Sequence, residues 1–236
     1  MAAGSMTDAG AGMRTAEWRW ILAVAIAAVL AIAGAVSPDL RWVHYACKPL
    51  ATLLIAAMVL VSSGGSVRYR RTVLAGLLLS ALGDIFLMLV PGPQRPDWFV
   101  FGLASFLLAH VAYLLAFCSR AKLLARRWPF AVYALVAIVV SAVLRPHLPE
   151  ALRWPVYAYV VVLSVMAAQA AAVWAASPDR STASAALGGA FFVASDATLA
   201  LDRFVAPFPM AVVIVLATYW AAQMLIGLSA TRMPRN

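Results

Sequence analysis

Long apolar runs, each near the length of a bilayer crossing, alternate along this chain with short breaks rich in basic residues, Pro or Gly. A helix rises about 1.5 Å per residue and needs about 20 apolar residues to cross the hydrocarbon. Read for such runs, the sequence predicts eight membrane helices, near 19–36, 42–62, 72–90, 98–118, 129–144, 154–175, 183–205 and 209–230, the fifth being the shortest. The breaks are too short to hold a second domain. The expected architecture is an all-α membrane protein: a disordered Gly/Ala-rich tail at 1–17, one eight-transmembrane-helix bundle at 18–230 and a short tail at 231–236. Arg19, the apolar run after it and Ala33-Gly34-Ala35 imitate a cleavable signal, but the run is long enough to span and is read as an uncleaved first helix.

Composition agrees with the pattern. With 65% hydrophobic and 11% charged residues and a mean hydropathy of +0.92, a water-soluble domain is excluded. A net charge of +9 could suggest nucleic acid, but the positions of the basic residues argue for orientation instead. Arg14, Arg19, Arg68, Arg70, Arg71, Arg120, Lys122, Arg126, Arg127, Arg180, Arg232 and Arg235 fall on one side; only Arg41, Arg95, Arg145 and Arg153 fall on the other. Basic residues mark the cytoplasmic side. Both termini are therefore expected in the cytoplasm, in a multi-pass protein of a bacterial inner membrane with no nucleic-acid partner. Cys47 and Cys118 lie toward opposite faces in this topology and are read as small buried residues, not a disulfide.

The remaining signal is polar chemistry inside the spans. Asp84 sits in LLLSALGDIFLMLV and Asp196 in FFVASDATLALDRF. Because an ionisable group at bilayer depth costs at least about 2.5 to 3.5 kcal/mol, such residues are functional candidates. Lys48, Asp84 and Asp196 fall in the outer half of their spans; Tyr157, Tyr159 and Tyr219 enter from the same side, and His110 and Gln223 lie nearer the midplane. Asp196 and Arg203, seven residues apart, share a helix face, whereas Asp202 points elsewhere. These residues suggest a polar pocket open toward the outer leaflet. Other uses exist for each: Lys48 can merely neutralise an aspartate, Arg203 can snorkel at a helix end, His110 can pack, and the tyrosines and tryptophans can form an interfacial belt. Gly83-Asp84 and Ser195-Asp196 also lie 112 residues apart, near half the chain, as two parallel four-helix repeats would place them.

Zinc spacings, HExxH, a Walker loop and GxSxG do not occur, so no metal or cofactor is expected. Two carboxylates in a semi-dry pocket can divide acid and base work, the logic of glycoside hydrolysis, and this extends to an acid-labile ether in a lipid. Two other readings stand beside the enzyme. One is a proton-coupled transporter of a small molecule or lipid, and the other a scaffold whose buried charges fix helix register.

Lys48-Pro49-Leu50, Gly83-Asp84 with Leu87-Met88, Phe101-Gly102-Leu103 leading to His110 and Tyr113, Ser195-Asp196 with Asp202-Arg203-Phe204, and Tyr219 through Gln223-Met224-Leu225-Ile226 together resemble the YhhN family, which includes the lysoplasmalogenases. Their order and spacing carry the likeness over most of the chain; Asp202 departs from it where Asn often precedes the Arg-Phe pair. The resemblance implies an eight-helix bundle that hydrolyses the vinyl ether bond of a lysoplasmalogen, giving a fatty aldehyde and glycerophosphoethanolamine or glycerophosphocholine. It implies a vinyl-ether lysophospholipid as substrate and membrane lipids as surroundings. Asp84 and Asp196 are then the expected catalytic pair. Lys48 would tune a carboxylate or meet the phosphate, and His110, Tyr157, Arg203, Tyr219 and Gln223 would support substrate or water.

Overall fold

The structure, a computed structural model, describes residues 4–89 and 96–232; Arg95 and Arg235, counted in the charge asymmetry above, lie outside them. Among the described residues the chain forms α-helices and no strand: α1 (Gly4–Val36), α2 (Arg41–Val61), α3 (Val67–Met88), α4 (Pro96–Cys118), α5 (Trp128–Leu144), α6 (Glu150–Ala176), α7 (Arg180–Ala200) and α8 (Ala211–Thr231). A 3₁₀ turn, Pro38–Leu40, joins α1 to α2, and a π-turn, Leu201–Val205, extends α7. Seven helices are long and apolar enough to cross a membrane; α5, with 17 residues, is shorter. The first, third and sixth helices begin earlier than the hydropathy predicts, at Gly4, Val67 and Glu150, so α1 takes in most of the segment expected as a disordered tail. Backbone hydrogen bonding does not end where the hydrocarbon ends, so Arg68, Arg70 and Arg71 ride on the first turns of α3 instead of forming a break.

Local chemistry sets several boundaries. Asp179 caps α7 by accepting from the Thr182 N–H (2.7 Å), while Thr182 Oγ1 accepts from the Asp179 N–H (2.9 Å), a reciprocal capping box. Pro129 opens α5, where its missing N–H costs no helical bond. Where helices must approach closely, glycine leaves the room. A Cβ on Gly83 would lie 2.7 Å from the Phe106 ring, so α3 and α4 pack at the turn that carries Asp84 only because that position is bare.

The helices close into one bundle. α3 packs on α4 as α7 packs on α8, α2 on α3 as α6 on α7, and α1 on α2 as α5 on α6; α2–α8 and α4–α6 contacts complete the ring. One end gathers the basic loops. There Arg232 on α8 reaches both carboxylate oxygens of Glu17 on α1 (3.3 and 3.4 Å), and Arg120 after α4 pairs with Asp179 before α7 (3.4 Å). Tyr69 of α3 shares a hydrogen bond with Ser229 of α8 (2.8 Å) beneath the Arg120 guanidinium. At the opposite end Leu144, Leu148 and Val156 form a small second core, with Phe204 and Val205 of the π-turn packed against it.

Candidate active site

Toward the end of the bundle away from the basic loops, α2 to α8 enclose a cavity of about 140 Å³. Most of its wall is apolar, with Phe99, Leu103 and Phe106 from α4, Val136, Ala137 and Val140 from α5, Val160 and Leu163 from α6, and Leu216 from α8. The polar groups on the wall are few: Lys48, Asp84, Tyr159, Ser164, Ser195, Asp196, Arg203 and Tyr219. Both aspartates expected to form a pair thus open into one space, together with Lys48, Arg203 and Tyr219.

The two carboxylates differ in their surroundings. Asp84, only 2% exposed, accepts from Tyr219 OH (2.7 Å) and Thr52 Oγ1 (3.2 Å), and Lys48 Nζ lies 3.5 Å from its other oxygen. Thr52 is four residues from Lys48, one turn along the same face of α2, so both reach the same carboxylate. Asp196 is less enclosed and has one described partner, Tyr159 OH, at 2.5 Å; among the described residues it has no ion pair. Its neighbour Ser195 turns away to donate to the Val215 carbonyl on α8 (3.0 Å), which ties α7 to α8 at this depth.

A run of rings links the two carboxylate–tyrosine pairs. His110 meets Tyr159 and Phe192 edge-on, with centroids 5.2 and 4.6 Å apart; Phe192 meets Tyr219 at 5.7 Å, and Phe106 meets Tyr219 at 5.9 Å. Edge-to-face packing of this kind fixes the phenols from behind. His110 is fully buried behind Tyr159 and does not line the cavity. Gln223, one turn below Tyr219, is also off the cavity; its side-chain oxygen accepts from Tyr113 OH (2.6 Å).

Tyr157 is not at this site. It packs edge-on against Trp154 and borders a shallow groove between α5 and α6 beside Arg145. The tyrosine of α6 that reaches the cavity is Tyr159, two residues on and therefore on another face. Helical phase carries the signal that separates them. Trp154, Tyr157 and Val161 form one stripe, whereas Tyr159 heads the stripe of Leu163, Met166 and Ala170, which is buried. Thr52 was legible in the same way, from its spacing to Lys48.

No group of His, Cys, Asp and Glu that could hold a metal ion occurs among the described residues. Two carboxylates of unlike environment that face one largely apolar space can divide acid and base work beside a surface fit for a lipid chain.

Comparison with known proteins adds the following. Residues 43–230 match the model of the YhhN family. Human lysoplasmalogenase TMEM86A is 37% identical over 161 residues, 67% of this chain and 64% of the relative. Human lysoplasmalogenase TMEM86B is 32% identical over 203 residues, 83% of this chain and 79% of the relative. A lysoplasmalogenase of Mycobacterium tuberculosis is 36% identical over 185 residues, 75% of this chain and 66% of the relative. The matched region thus spans less than two thirds, 64%, of the length of the TMEM86A relatives. No solved structure matches.

Proposed function

The chain belongs to the YhhN family, and from that premise we propose that it is a lysoplasmalogenase-type hydrolase, cleaving the vinyl ether of a lysophospholipid to a fatty aldehyde and a glycerophosphoethanolamine or glycerophosphocholine. One observation carries the chemistry: carboxylates from two different helices, Asp84 and Asp196, open into the same apolar-walled cavity. The relatives' names supply the substrate class.

The unequal surroundings divide the roles. Lys48 and two hydroxyl donors converge on Asp84, which suits it to the part of general base. Asp196, with a neutral phenol as its described partner, is the proton carrier. In the proposed reaction Asp196 gives its proton to the β-carbon of the vinyl ether, and the α-carbon becomes an oxocarbenium ion facing the Asp84 carboxylate. Water adds to that carbon and passes a proton to Asp84, which leaves a hemiacetal. On collapse the carbon–oxygen bond to glycerol breaks. The glycerol oxygen takes the proton from Asp84 and the hemiacetal hydroxyl returns one to Asp196, so both groups are reset. Tyr159 and Tyr219 orient the carboxylates, while His110 and Gln223 act from behind the wall.

The finer architecture is read on similar grounds. Glu17 and Arg232 meet at one end of the bundle, so the chain makes an even number of traverses, and α5 is the eighth crossing of a single transmembrane unit over 18–230. The basic loops assign that end to the cytoplasm. A 112-residue shift relates Gly76 to Gly188, Thr52 to Ser164 and Asp84 to Asp196, and the helix contacts follow the same shift, which supports two parallel four-helix repeats.

The test is aldehyde release from a lysoplasmenyl lipid by purified protein in detergent, beside Asp196→Asn and the double variant Lys48→Met/Asp84→Asn, each checked by thermal melting. The double variant leaves no ammonium without its partner. Wild type is expected to release aldehyde and both variants to lose it by about 100-fold or more while still melting cooperatively. A well-folded wild type that releases none rejects the hydrolase and turns the search to proton-coupled flux.

A further inference from the structure

Lys48, which the family resemblance implied would either tune a carboxylate or meet the phosphate, is committed to Asp84. Arg203 is not committed in this way. It lines the same cavity as the two aspartates, two helical turns beyond Asp196, about 10 Å along the axis. The π-turn Leu201–Val205 carries it; such turns add a residue to the helix and frequently mark functional sites.

The guanidinium carbon sits 3.9 Å from the centre of the Phe99 ring and 5.8 Å from that of Phe204, and these two rings meet edge-on at 5.9 Å. Stacking on a ring face fixes the plane of the cation while its N–H groups, which point out along that plane, stay available. Among the described residues no carboxylate takes them. The ion pairs are Lys48–Asp84, Arg120–Asp179 and Arg232–Glu17. The adjacent Asp202 instead accepts from the Phe208 N–H (3.2 Å) and secures the turn that follows. Arg203 is exposed, as a snorkelling arginine would be, but it also forms part of the wall of the cavity that holds the carboxylates. A planar, oriented donor fork that no described carboxylate takes is suited to a phosphate oxyanion.

We propose that Arg203, stacked on Phe99 and Phe204, binds the phosphodiester of the lipid and so sets the position of the ether bond at Asp84 and Asp196. The identity of that bond rests on the hydrolase reading above; recognition of a lipid-borne phosphate does not. In a lysophospholipid a glycerol backbone separates the chain-bearing oxygen from the phosphate, so a cation farther along the same wall than the carboxylates is placed for that phosphate.

The experiment is equilibrium binding to the full chain in detergent of an alkyl ether lysophosphocholine, which lacks the double bond and is not turned over, beside 1-O-alkylglycerol of the same chain length and inorganic phosphate. Wild type is expected to bind the phosphorylated ether about 10- to 100-fold more tightly than the alkylglycerol. Arg203→Gln is expected to abolish that preference while still binding alkylglycerol, which also shows that the variant is folded. Arg203→Lys, which keeps the charge but loses the fork, should retain part of the preference. Where turnover is observed, the loss in Arg203→Gln should fall mainly on KM. An Arg203→Gln protein with the wild-type preference overturns the proposal, as does inorganic phosphate displacing the lipid at matched concentration. Because the probe is not hydrolysed, an Arg203-dependent preference in a protein that releases no aldehyde rejects the hydrolase and keeps the phosphate site.

Discussion

Lys48 and Asp84 show how a charge survives inside an apolar bundle. Lys48 is 9% exposed, and Asp84 is served by three donors. Removing one member of such a pair leaves an uncompensated buried charge, which typically costs about 3 to 5 kcal/mol, whereas replacing both can cost little. Lys48→Met alone is therefore expected to melt well below wild type, and Lys48→Met/Asp84→Asn above Lys48→Met. A double-mutant cycle by thermal denaturation checks this, and strictly additive losses would deny the coupling. Asp196→Asn, which strands no cation, should melt close to wild type. The sequence marked both aspartates, Lys48 and Tyr219, because a polar group within an apolar run stands out whatever its partners. The expectation places Tyr157 at the site in place of Tyr159, although the buried stripe of Tyr159, Leu163, Met166 and Ala170 gives the rotation of α6 about its own axis. The sequence did not separate the wall residues from His110 and Gln223 behind them, which share the same helices and depth.

At the scale of elements, α3 and α4 determine how the Asp84 site is held. Gly83 is bare beneath Phe106, and Phe106 in turn packs edge-on against Tyr219, the donor to Asp84. Gly83→Ala is expected to push the ring by several tenths of an ångström and to cost about 1 to 3 kcal/mol, as overpacking does. Adding Phe106→Leu should recover most of that stability by removing the ring atoms the new methyl would meet. Melting of the single and double variants decides it: a Gly83→Ala protein that melts like wild type would mean that Phe106 gives way freely and does not hold Tyr219. Apart from the start of α1, at Gly4 instead of residue 19, the helices were legible from apolar run length to within about five residues, because burial in lipid and helix length obey the same requirement. The π-turn under Arg203 was not, since a single extra residue in a turn leaves no mark on hydropathy.

At the scale of the molecule, the question is how a chain with seven long apolar helices and one short one brings both ends together. Arg232 binds Glu17, and the Arg120–Asp179 pair ties the end of α4 to the start of α7 at that same end. The α6 side chain of Gln169 donates to the Ala121 carbonyl there (2.9 Å), so the C-terminal half of α6 lies close by and its N-terminus points away. α5 must then run from the basic loop to the far end, although its 17 residues extend only about 25 Å. A hydrophobic segment shorter than the bilayer is accommodated by local thinning at modest cost, and Trp128 at the start of α5 suits an interfacial anchor. Leu123 and His147, which flank α5, should therefore lie on opposite sides of the membrane. In a Cys47→Ser/Cys118→Ser background, Leu123→Cys is expected to resist a membrane-impermeant maleimide in intact cells and to react only after permeabilisation. His147→Cys should react at once, on the side toward which the cavity end and Arg203 face. Equal labelling of the two sites would mean that α5 lies in one interface, and the reverse pattern would place the basic end outside. Either result would change the leaflet from which a lipid meets Arg203, so orientation and substrate entry stand or fall in one measurement.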